Sequence, residues 1–127
     1  MTQSLKVSKF AGFAAVAAVI NSIIFLVAKA TDATMIVNQG RTQEIALPLV
    51  LATTLLGLVV AAFITSRIGI KSQGFLAKSP IIGLVFGIAT ATAPFSASDD
   101  SKTALALASM HVVAGVTWFI GAKRSIK

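Results

Sequence analysis

Four long apolar runs, separated by short clusters of charge, leave this chain of 127 residues few ways to fold. A hydrocarbon layer about 30 Å thick offers no water to backbone N–H and C=O groups, so a helix of roughly 20 apolar residues is the simplest structure that crosses it. The runs fall at about 10–28, 45–66, 80–97 and 103–122. Charged residues make up 12% of the chain, whereas a soluble domain carries about 25% to keep its surface wetted. The mean hydropathy is +0.89. These features predict a single domain over 1–127, an all-α, up-and-down bundle of four transmembrane helices.

Local chemistry sets the expected ends. Phe10 to Ala28 is flanked by Lys6, Lys9 and Lys29. The second run follows Glu44 and closes at Arg67, with Pro48 in its first turn, where a missing N–H costs little. Pro80 is expected to open the third helix, and Ser101 or Thr103 to cap the fourth, which ends before Lys123 and Arg124. Ser98 to Lys102 connects the last two helices as an antiparallel pair. The longest loop, Lys29 to Glu44, carries the turn signal Asn38-Gln39-Gly40. The lysines before the first run and Ala28-Lys29-Ala30 after it resemble a signal peptide, but the apolar stretch exceeds the usual 7–15 or so residues. It reads as a membrane helix.

Basic residues fix the expected orientation. Lys6, Lys9, Arg67, Lys71, Lys78, Lys123, Arg124 and Lys127 fall on one side, against Lys29, Arg41 and Lys102 on the other. By the positive-inside rule both termini are cytoplasmic, and the imbalance argues against dual topology. The net charge of +7 then reflects topology and anionic headgroups, not nucleic acid: no basic run is interleaved with aromatics and there is no tyrosine. The chain has no cysteine, which removes disulfides and thiolate chemistry.

Membrane helices associate through small residues and interhelical hydrogen bonds, and each run carries such a stripe: Ala14, Ala17, Ala18, Asn21 and Ala28; Thr54, Gly57 and Ala61; Gly83, Gly87, Thr90 and Pro94; Ala104, Ala108, His111, Gly115 and Ala122. The polar members Asn21, Thr54, Thr90 and His111 should converge at one depth as a candidate polar layer. Pro94, within the third helix, should leave the carbonyl of Thr90 free near it. This layer reads either as glue that fixes helix register, as a ligand or ion site, or as a proton-responsive site at His111. Gly83, Gly87 and Gly115 are helix-packing positions, and the Gly83/Gly87 pair serves either packing inside the monomer or a homodimer face.

Chemistry is mostly excluded. Asp32, Glu44, Asp99 and Asp100 all lie at or beyond helix ends, so the buried acid of small four-helix multidrug exporters is missing. No span contains a lysine for a retinal Schiff base. One histidine supplies neither a zinc site nor both axial ligands of a haem, short of two copies of His111 sharing one across a two-fold. No Ser-His-Asp set can be placed, and phosphate-binding glycine loops are absent. The stretch from Gly87 to Phe95 lacks the pattern of the small fluoride channels.

With Asn21 in the first helix, Ala93-Pro94 at the end of the third and Met110-His111-Val112-Val113-Ala114 in the fourth, the chain resembles a family of small actinobacterial four-helix membrane proteins of unknown function. The resemblance implies this fold and a bacterial inner membrane, and implies no activity. The expectation is therefore a non-catalytic multi-pass protein without cofactor, catalytic residue or metal site, in contact with the bilayer and serving as an accessory or interaction subunit of a larger membrane complex, or as a homodimer. The alternative is a small binder of a ligand, ion or proton at the layer around His111. Arg41 and Glu44 in the long loop are a further candidate docking pair.

Overall fold

The computed structural model describes residues 2–127. Helices α1 (Val7–Ala30), α2 (Leu47–Lys71), α3 (Gln73–Thr90) with its continuation α4 (Ala93–Ala97), and α5 (Ser101–Ser125) are joined, between α1 and α2, by a hairpin of β1 (Ile36–Asn38) and β2 (Thr42–Glu44). Four helical segments are long and apolar enough to cross a membrane, with α3 and α4 together forming the third. α1 packs on α2 and α5, and α3 packs on α5. Large aliphatic and aromatic side chains point outward, Phe86 and Leu105 among the most exposed, as a lipid-facing surface requires.

Small residues bring the axes together. Ala14, Ala17, Ala18, Asn21 and Ala28 are all buried on α1, as their spacing predicts. Gly87 and Gly115 meet where α3 crosses α5: a Cβ on Gly87 would lie 2.6 Å from the Cα of Gly115, and one on Gly83 would run into the Trp118 indole. Both glycines of the pair thus face α5 and are occupied within the chain.

Three expectations need correction. Pro80 does not open the third helix. It lies inside α3, which starts at Gln73 behind a Ser72 cap. The ring removes the N–H that Leu76 O would otherwise receive, and Ser79 Oγ donates to that carbonyl instead, at 2.8 Å. Pro94 does not interrupt a continuous third helix: the chain breaks at Ala91-Thr92, and Pro94 stands in the first turn of α4, where its missing N–H is harmless. The cap of α5 is Asp100, not Ser101 or Thr103.

Both ends of the bundle are tied. At one end Leu5 bridges Ile126, Ser4 and Lys127 exchange backbone bonds of 2.9 and 3.1 Å, and Gln73 Nε2 donates to Gln3 O at 2.9 Å. Both termini and the α2–α3 turn therefore share a face. At the other end the hairpin turns through Gly40, whose φ of +81° suits glycine, at the predicted signal; its strands were not expected. One carboxylate holds it down. Asp100 Oδ2 accepts from Thr34 N at 2.8 Å and Thr103 Oγ1 at 2.6 Å, while Thr103 Oγ1 accepts from Met35 N at 2.8 Å. The Thr103 hydroxyl, then the Thr34 and Lys102 amides, hold the Asp100 carboxyl down at about 2. Glu44 meets Lys29 at 3.6 Å, an exposed pair worth little.

Candidate functional site

Between the two apolar cores of the bundle, one built around Phe10, Leu76 and Trp118 and the other around Phe25, Met35 and Met110, lies a polar belt. All four residues of the expected layer are in it, as two pairs. Asn21 Nδ2 donates to Thr54 Oγ1 at 3.1 Å and approaches Met110 O at 3.5 Å. Thr90 Oγ1 lies 3.1 Å from His111 Nδ1. At about 1.5 Å of rise per residue, the belt sits roughly 10–15 Å below the hairpin end of the helices.

Proton counting defines what each group still offers. Thr90 has one hydroxyl proton, and Phe86 O takes it at 2.8 Å, so the bond to His111 runs from Nδ1–H to Thr90 Oγ1. The neutral ring then carries a lone pair on Nε2, for which no partner exists among the described residues. Asn21, 2% exposed, has spent its amide protons while its Oδ1 has no partner. Thr54 accepts from Asn21, and nothing among the described residues accepts its own proton. The hydroxyls of Ser22, Thr53 and Ser109 differ, each donating to the carbonyl four residues back. The belt thus presents an unused acceptor at His111 and an unused donor at Thr54, while Asn21 Oδ1 is enclosed by the protein.

Two cavities meet there. One of about 470 Å³ lies under the hairpin, among Asn21, Gln39, Gln43, Thr54, Pro94 and His111. The other, about 530 Å³, is the cleft between α2 and α3, floored by α5, with Gly57, Phe86 and Trp118 on its walls. Thr54 and His111 belong to both. The cleft exists because α2 and α3 hold together near their turn, where Leu76 fills the space over Gly69, and diverge beyond it. The residues buried on α2 are Val50, Leu58, Ala62, Thr65 and Gly69. The expected stripe divides: Thr54 meets Asn21 and Ala61 packs against the core around Phe10, while Gly57 faces the cleft, where a Cβ on it would have no atom within 4 Å. Small residues mark where a close neighbour fits but not which neighbour, and beside Gly57 the chain supplies none.

Sequence reading missed Trp118, which closes the cleft by donating Nε1–H to Ser79 O at 2.8 Å, and the glutamines at the outer mouth. The signal for the first was available: one tryptophan on the small-residue face of a membrane helix needs a polar partner for its N–H.

These features define a multi-pass membrane protein with a laterally open four-helix bundle. Residues 4–127 match the model of a family of unknown function, DUF6069, and the chain belongs to that family. No curated protein and no solved structure matches it.

Proposed function

We propose that this is a non-catalytic protein of the bacterial inner membrane, both termini cytoplasmic, that takes a lipid-soluble ligand from the bilayer into the α2–α3 cleft. One observation carries the reading: a cleft with apolar walls ends on Thr54 and His111, whose hydroxyl proton and Nε2 have no partner among the described residues. A polar group without a partner in an apolar cleft is costly, so its persistence at the end of an opening suggests a ligand that completes it. No carboxylate or thiol stands in the belt to support covalent or acid–base chemistry with His111.

Native mass spectrometry after gentle extraction tests this. The wild-type chain should carry an added small mass, and Gly57→Leu, which fills the cleft from a position where an added Cβ has no atom within 4 Å, should lose it. A wild-type chain bare under the same conditions contradicts the reading. The same open α2 face also favours a second reading, an accessory subunit whose partner lays a helix along Thr54, Gly57 and Ala61; a heavy assembly dissociated by Gly57→Leu would establish that instead.

A further inference from the structure

The shape and polarity of the two cavities, taken together, identify the ligand more narrowly. The inference rests on the proposed function, because it concerns the same cleft. No Lys, Arg, Asp or Glu lines either cavity. An anionic headgroup would therefore find no countercharge, and a cationic one no carboxylate, at a depth where an unpaired charge is expensive. The cavity under the hairpin is the more polar of the two, with Asn21, Gln39 and Gln43 beside the Thr53, Thr54 and His111 that line both. The cleft is walled by Phe75, Ile82, Phe86 and Trp118. They share Thr54 and His111, so one elongated molecule can lie in both.

We infer that the ligand is an uncharged, hydroxyl-bearing lipid. Its hydroxyl lies under the hairpin and donates to His111 Nε2 while accepting from Thr54, and its chain runs down the cleft toward Trp118. The unused Nε2 demands a donor, which an ester or ether lipid without a free hydroxyl cannot supply. The head lies on the hairpin side and the tail points toward the α2–α3 turn, which is the orientation of a lipid from the leaflet on the hairpin side. Each cavity falls in the range of about 300–1,000 Å³ that holds small ligands.

Trp118 is the only tryptophan and lies on the proposed path of the chain, so bromine on that chain quenches one identifiable fluorophore. The protein is placed in nanodiscs of unbrominated phosphatidylcholine and titrated with 9,10-dibromooctadecan-1-ol, its methyl ether and its phosphate monoester. The alcohol should quench saturably at low mole fraction. The methyl ether and the phosphate should each need about tenfold more, the equivalent of one good hydrogen bond in a buried site. His111→Asn should weaken the alcohol alone, whereas Gly57→Leu should abolish saturable quenching by all three and Gly12→Leu, in open space on α1, should change nothing. If alcohol and ether titrate alike and Gly57→Leu still blocks both, the cleft binds lipid but His111 Nε2 is completed by water, and the hydroxyl inference fails while the proposed function stands. Stronger binding of the phosphate also overturns it. If no probe quenches saturably, the proposed function itself fails. The comparison of probes on the wild-type chain decides the question even where His111→Asn does not fold.

Discussion

At the scale of single residues, the belt turns on where protons are already committed. Thr90 gives its proton to Phe86 O, which makes His111 Nδ1 the donor and frees Nε2. His111→Asn keeps an N–H for Thr90 but removes the acceptor at the Nε2 position, its own carbonyl oxygen lying elsewhere on a shorter side chain. Its thermal stability should fall by only about 1 kcal/mol, the size of an interhelical bond in a membrane, while the co-purifying mass is lost; loss of the fold with it would mark His111 as structural glue alone. Asp100 gives a sharper test. Its carboxyl is held at about 2, below the ordinary value, so the contribution of the clasp is complete above about pH 4 and disappears as pH falls through 2. The amide resonances of Thr34 and Met35 should titrate with a midpoint near 2 and lose that step in Asp100→Asn. A midpoint near 3.8, the free carboxyl value, would show that the clasp does not form.

At the scale of elements, the sequence was legible wherever one physical demand governed the outcome. The bilayer dictates helices, so four spans follow from hydropathy alone. On α1 the small residues had one purpose, and the five expected positions are buried. α2 carries two small stripes: Ala62, Thr65 and Gly69 are buried, while of Thr54, Gly57 and Ala61 the first meets Asn21, the last packs against the core and Gly57 stays open. Nothing in the composition of either stripe says which one the chain will cover. Pro80 misled for a related reason, since a proline is harmless inside a membrane helix when a neighbour such as Ser79 satisfies the freed carbonyl. The hairpin depends on Asp100 and Thr103 bonding to Thr34 and Met35, contacts 66 to 69 residues apart in sequence that leave no local pattern. The α3–α5 crossing yields a clear expectation. Gly87→Leu should cost about 3 kcal/mol or more, because the obstacle is the Gly115 backbone and cannot swing aside. Gly57→Ala should be nearly neutral. Thermal denaturation in detergent compares the two, and similar losses would mean that the cleft is closed.

At the scale of the molecule, the termini and the α2–α3 turn share one face with most of the basic residues, and the hairpin caps the other. The absence of cysteine makes orientation simple to read. A lone cysteine in Gly74→Cys should react with an impermeant maleimide only after cells are opened, and one in Arg41→Cys should react from outside; the reverse pattern would invert the topology. The measurement closest to the central claim, that the bundle opens sideways to the bilayer as far as Trp118, is fluorescence of that residue in nanodiscs made from dibrominated phosphatidylcholine. Bulk chains that enter the cleft should quench it strongly, and Gly57→Leu should restore the emission. Trp118 emission equal in brominated and ordinary lipid would contradict an open cleft and everything built upon it.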